Sequence, residues 1–248
     1  MIRTLLVSCY YALAVLLVLP FLILWSVITG KPDLMYGLSM KAVRLGNRIA
    51  GIRVRTFGLE NIPPGPCVFA ANHASNVDPL ALFPAIPRRV GILVKRELFR
   101  VPILATGMRR AQFIPVERSG REAIEVGDAA VRCLKGGLSL AIFVEGTRSP
   151  DGRLRPFKKG AFAIAIQAGA PIVPVSIAGA QHLMRKGERI LRPGEVTIRF
   201  GPAVDASQYT MERRSELLVR VESLVAAGLP ADQQPLLAAP GDAPASSE

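Results

Sequence analysis

The chain has 248 residues, half of them hydrophobic, with 31 Lys and Arg against 19 Asp and Glu and a formal net charge of +12. That length suits one sizeable domain plus additions, and a mean hydropathy of +0.33 is too apolar for an ordinary soluble domain. The charge favours an anionic partner, and with 6% aromatics, no basic–aromatic interleaving and no zinc-finger or RNA-binding signature, lipid is favoured over nucleic acid.

The run from Leu5 to Ile28 carries no charge and is long enough to span a bilayer. It exceeds a signal-peptide core and no A-x-A site follows, so a retained membrane segment is expected, flanked by Arg3 and Lys31. Pro20 inside it kinks or breaks a helix, which leaves spanning, re-entrant and interfacial placements open. From about Asp33 to Ala50, Leu38, Ala42, Leu45 and Ile49 recur at helical spacing, with Lys41, Arg44 and Arg48 along one flank. An apolar face with a cationic flank suits a helix lying in an anionic interface; a domain helix with a solvated basic side fits the spacing equally well, and the neighbouring apolar run favours the membrane.

From residue 52 the pattern becomes strand-like. IRVRTF (52–57), CVFAAN (67–72), VGILVK (90–95), AQFIPV (111–116), LSLAIFV (138–144), PIVPVSI (171–177) and EVTIRFG (195–201) are short apolar or alternating runs near turn signals. Helices are expected between several of them. One opens on a capping box at Ser119 and Glu122 and ends near Gly136, one covers about 159–168, and one runs from about Met211 to a stop at Gly228 and Pro230. Alternation of this kind predicts an α/β fold: a mixed central sheet of about seven strands covered by helices, preceded by a membrane-associated helical segment. The expected division is residues 1–50 at the membrane, 51–228 as the α/β domain and 229–248, rich in Ala and Pro without Lys or Arg, as a disordered tail. Cys9, Cys67 and Cys133 form neither a disulfide framework nor a CxxC metal pair, and read as small buried hydrophobes facing a reducing compartment.

One of the chain's two histidines, His73, ends the stretch CVFAANH, and Asp78 follows five residues later, ahead of Pro79. Asp followed by Pro is a good helix start. His73 therefore lies in a strand-to-helix loop that can fold back on the Asp78 carboxylate, which would fix the imidazole tautomer for general-base work. A lone His/Asp pair is more often a loop histidine and a helix cap, and the surroundings shift that balance. FVEGTRS (143–149), FIPVER (113–118) and FKKG (157–160) place Arg148, Arg118 and two lysines at the ends of strand-like runs, where open α/β sheets bind ligands.

These blocks together resemble the glycerolipid acyltransferases, and among them the bacterial 1-acylglycerol-3-phosphate acyltransferases. NHASNVD matches the family's HxxxxD motif, FVEGTRS its FPEGTRS block with Val144 in place of proline, and FIPVER its second block. VKRELFRVPILATGMRR resembles the stretch between the first two blocks, and Ala170–Val175 the fourth block, so the resemblance covers about residues 52–202. It implies that His73, held by Asp78, takes the proton from the 2-hydroxyl of 1-acyl-sn-glycerol-3-phosphate. The oxygen then attacks the thioester of acyl-CoA or acyl-carrier protein, giving phosphatidic acid in phospholipid biosynthesis. Arg118, Glu145, Gly146, Thr147 and Arg148 would form the acceptor pocket, with Lys95 as a further cation. Neither metal nor bound cofactor is implied, and the expected setting is the inner membrane with the site facing the cytoplasm. The alternative within the family is another lysolipid acceptor, such as a lyso-aminolipid.

Overall fold

The computed structural model of the chain describes residues 1–116 and 122–235. A continuous apolar helix covers Ile2–Thr29, as α1 (Ile2–Leu13), a π turn at Ala14–Val18 and α2 (Leu19–Thr29). The π turn sits just ahead of Pro20, whose ring nitrogen has no N–H to give the preceding turn. Gly30 in the left-handed conformation ends the helix, and α3 (Pro32–Ala50) follows with Pro at its start and left-handed Gly51 past its end.

The α/β domain contains a seven-stranded sheet in the order β1-β7-β6-β2-β5-β3-β4. The strands are β1 (Ile52–Phe57), β2 (Val68–Ala71), β3 (Val90–Lys95), β4 (Ile114–Val116), β5 (Ser139–Phe143), β6 (Ile172–Ala178) and β7 (Gly194–Phe200). β6, β2, β5, β3 and β4 run parallel; β7 is antiparallel to β6 and carries β1 parallel to itself, so the sheet is mixed as expected. Residues alternate between two cores. Phe69 and Ala71 of β2 face one with Met35, Tyr36, Ala81 and Leu82, while Val68 and Ala70 face the other with Leu134, Phe162, Leu217 and Val221. The first core is covered by α3 and α4 (Val77–Ala85). The second is covered by α6 (Glu122–Lys135), α7 (Gly160–Ala168) and α9 (Arg214–Ala227). Between them in sequence lie α5 (Pro102–Arg110), a helix that the apolar pattern did not suggest, and the single turn α8 (Ala180–Leu183). Residues 229–235, assigned from sequence to a disordered tail, form a turn packed on the domain instead. Leu229 and Gln233 are buried there, and Gln233 Oε1 accepts from Gly179 N. Residues 236–248 of that tail, and Ser119 of the expected capping box, lie outside the described residues.

The N-terminal helix is fastened to the domain at both ends. Near its start Thr4 Oγ1 accepts from Leu191 N, and near its end Arg110 of α5 donates to the carbonyl and hydroxyl of buried Ser26. Tyr10 donates to Ala42 O of α3 between them. A helix held at residues 4 and 26 lies along the domain and does not rise away from it. Its outer side is largely apolar, with Leu5, Leu13, Leu16, Leu17, Phe21 and Leu24 each more than half exposed.

Candidate functional site

Asn72 follows β2, and its side-chain amide grips the peptide of Ile177 from both sides: Nδ2 donates to its carbonyl and Oδ1 accepts from its N–H. That buried clamp fixes where the chain leaves the sheet. His73 comes next, in the loop before α4. Its Nδ1 lies 2.8 Å from Asp78 Oδ2, and the same oxygen accepts from Ala74 N and Ser75 N at 2.7 Å each. Asp78 is expected to cap α4; the helix instead starts two residues earlier, at Val77, its N-cap Asn76 makes no side-chain capping bond, and the Asp78 carboxylate turns back into the loop. An oxygen that takes two backbone N–H groups acts as an acceptor, so the proton of this pair sits on His73 Nδ1 and Nε2 presents a lone pair. Asp78 is 1% exposed and the His73 side chain 17%, stacked on Phe143 at 4.1 Å between ring centroids. The dyad is thus buried on its carboxylate side and open on its imidazole side.

The EGTR stretch leaves β5 directly alongside. Val144 donates its N–H to Ala71 O and accepts from Lys158 N, and Ser149 N donates to His73 O. The first of these bonds needs an N–H that the proline of the usual spelling lacks, so Val144 ties the loop to β2 by one bond more. Glu145, expected to line the acceptor pocket, is 3% exposed, and its Oε1 accepts from the backbone N–H of His73 at 2.7 Å. It supports the histidine from beneath. Burial pushes its carboxyl up to about 8, against the pull of the His73 and Arg155 amides.

That shift gives an expected result. The folded chain binds the Glu145 proton more tightly than the unfolded chain, whose carboxyl titrates near 4.5, so its stability contribution is full below 4.5, falls as pH rises and is gone above about 8. Glu145→Gln keeps an acceptor for His73 N and removes the titration. Thermal unfolding of the two proteins across this range should show a flatter pH dependence for the variant.

Gly146 has φ +69, a conformation that favours glycine, and the Lys158 stem lies where its Cβ would be, at 2.8 Å. Lys158 belongs to the FKKG stretch but is not among the expected pocket residues; the run of two lysines signals a cation without saying which one lies against Gly146. Arg148 is half-buried, with Nη1 shielded from solvent and without a hydrogen-bond partner. Thr147 is half-buried beside it. Lys95 ends β3, exposed, in register with Val116 at the end of β4. Arg118, two residues further on, lies outside the described residues. Since β2, β3, β4 and β5 are parallel, His73, Lys95, Val116 and the EGTR stretch all lie off the same sheet edge, the carboxyl-end crevice where open α/β sheets hold ligands. Among the described residues no three His, Cys, Asp or Glu side chains gather as metal ligands.

Fold and site define a class: an α/β enzyme with a histidine–carboxylate pair and unpaired cations beyond the carboxyl ends of its parallel strands. Residues 53–178 match the Acyltransferase family. A 1-acyl-sn-glycerol-3-phosphate acyltransferase of Limnanthes alba is 32% identical over 206 residues, covering 78% of this chain and 73% of that protein. One from Pseudomonas aeruginosa is 33% identical over 189 residues, covering 74% and 72%. The crystal structure of the 1-acyl-sn-glycerophosphate (LPA) acyltransferase PlsC from Thermotoga maritima superposes with a TM-score of 0.78 at 29% identity, over 92% of this chain and 95% of that one. The chain belongs to the Acyltransferase family.

Proposed function

We infer that this protein transfers a fatty acyl group from an acyl thioester to the 2-hydroxyl of 1-acyl-sn-glycerol-3-phosphate, giving phosphatidic acid. The observation that carries the reading is the His73–Asp78 dyad facing a crevice of unpaired cations, in a chain whose relatives bear the name of that activity. His73 Nε2 takes the hydroxyl proton as the oxygen attacks the thioester carbonyl. The C–S bond then breaks, and the departing thiolate takes the proton from the imidazolium. General-base assistance of this sort is worth about 10²–10⁴-fold in rate. Arg148, Lys158, Lys95 and Arg118 are the cations for the acceptor phosphate, and Gly146 and Thr147 shape the loop that brings it to His73. Acyl-CoA and acyl-carrier protein both supply the thioester. The apolar outer side of the N-terminal helix rests on the membrane, the inner membrane in a bacterial cell, and keeps the crevice at the cytoplasmic surface where such donors are found.

The test is acyl transfer from labelled acyl-CoA and, separately, acyl-carrier protein to lysophosphatidic acid in mixed micelles, with a lysolipid lacking the phosphate monoester alongside. Product formed only with lysophosphatidic acid is the expected result. Product only with the other lysolipid would move the acceptor within the family, and donor consumed without any acceptor would make the enzyme a hydrolase.

A further inference from the structure

A second basic site lies away from the dyad, where α3 turns into β1. A recess of about 560 Å³ is lined by Arg48, Gly51, Ile52, Arg53, Pro193 and Gly194. Arg3, in the first turn of α1, reaches the same place: its Nη1 lies 2.8 Å, and the Pro193 Cβ 3.0 Å, from the position a Cβ on Gly51 would take. Gly51 is left-handed at φ +71, so its missing side chain both permits the turn and leaves room for the guanidinium. The surroundings are fixed by Gly194 N donating to Gly51 O and Leu191 N donating to Thr4 Oγ1.

The guanidinium groups of Arg3, Arg48 and Arg53 have no hydrogen-bond or ion-pair partner among the described residues. The nearby carboxylates are already paired, Glu195 with Arg55 at 2.9 Å and Glu188 with Arg192. Three arginines without a partner border one recess, Arg3 with its guanidinium against Gly51 and Arg48 and Arg53 in the lining, and such a set fits a phosphate. What borders them decides which kind. Ile2, Leu5 and Leu6 beside Arg3 are 78%, 66% and 56% exposed, and Leu45 and Ile49 beside Arg48 are 48% and 37% exposed. A soluble phosphate ester would leave those side chains in water, whereas a lipid seats its headgroup among the arginines and its chains along the leucines and isoleucines. The topology places the recess usefully. β1 and β7 run opposite to β2, so their starting ends, and the recess with them, share a sheet edge with His73.

We propose that Arg3, Arg48 and Arg53 form a site for the phosphate of an anionic membrane phospholipid, separate from the acceptor's, which orients the crevice at the bilayer surface. The proposal rests on reading the N-terminal helices as membrane-facing. Flotation of the full chain with phosphatidylcholine vesicles, with and without phosphatidylglycerol, tests it. R48Q/R53Q should lose about tenfold or more in affinity for the anionic vesicles, since each cation near such a surface counts separately. It should bind pure phosphatidylcholine like wild type. K135Q/R220Q removes the same charge from α6 and α9, which cover the second core, and should lose much less, because charges beyond about 10 Å are screened. Equal losses by the two variants would overturn the site in favour of diffuse attraction. Displacement of the vesicles by soluble glycerol phosphate would also overturn it, as the ligand would then be a soluble ester. Acyl transfer in neutral detergent micelles, run on the same samples, separates the two readings. R48Q/R53Q should match wild type there, and a loss would place the arginines in the reaction and sink this proposal. A wild type that binds anionic vesicles but transfers nothing would sink the acyltransferase reading alone.

Discussion

His73→Ala should lower kcat for acyl transfer by about 10²–10⁴-fold and leave KM for the lysolipid within a few-fold of wild type. The split follows from the geometry. Nε2 of His73 is the basic atom that the dyad presents to the crevice, and Asp78, at 1% exposure, is too buried to take over. The cations assigned to the acceptor phosphate stand on other elements: Arg148 and Lys158 beyond β5, and Lys95 at the end of β3. Removing the imidazole therefore leaves binding largely in place. The fold should survive as well, because the His73 backbone is held by Glu145 Oε1 and Ser149 N, not by its ring. Initial rates over a range of lysophosphatidic acid concentrations, with thermal unfolding as a control, check this. A folded variant keeping more than roughly a tenth of the wild-type rate would remove His73 from the base role. A matching fall in donor turnover without acceptor would show that the same imidazole also activates water.

The difference between what could be read in the sequence and what could not is physical. β1 and β3 have the bounds expected from IRVRTF and VGILVK, because alternation and β-branched residues are local signals. The order of the sheet is not local: nothing in EVTIRFG says that β7 turns against β6 and carries β1 with it. α5 escaped because VPILATGMRR is short, starts on apolar β-formers and contains Gly107, a weak helix former. The spacing of His73 and Asp78 was legible, and so was the loop that joins them. Which way Glu145 points was not. A carboxylate in a Gly- and Arg-rich loop reads as a surface group, and only the fold shows it under the histidine with the His73 amide on its oxygen. Asn72 escaped for the same reason, since its partner, the Ile177 peptide, lies on β6 more than a hundred residues away in sequence.

Asp78→Asn should lower kcat by about 10²–10⁴-fold and cost less stability than Asp78→Ala, and the contrast between them separates the two things the carboxylate does. One oxygen of Asp78 gathers Ala74 N, Ser75 N and His73 Nδ1, and the other is buried without a partner. In the asparagine variant an amide oxygen in the first position can still accept the three donors, at the cost of an amide NH2 in the buried second position. What is lost is the negative charge that stabilises the imidazolium while His73 holds the hydroxyl proton. The alanine variant loses the acceptor itself and leaves two buried N–H groups unpaired, at about 1–3 kcal/mol each. It should unfold at a clearly lower temperature. Unfolding and steady-state rates measured on both variants decide the matter. An asparagine variant that melts above the alanine variant and still has a much reduced kcat places the charge of Asp78 in the reaction. An asparagine variant with the wild-type rate would make Asp78 a loop scaffold and leave His73 to act unaided. The buried carboxylate against a partly open imidazole argues for the first, because a carboxylate needed only to hold two amides could be replaced by a neutral acceptor without burying a charge.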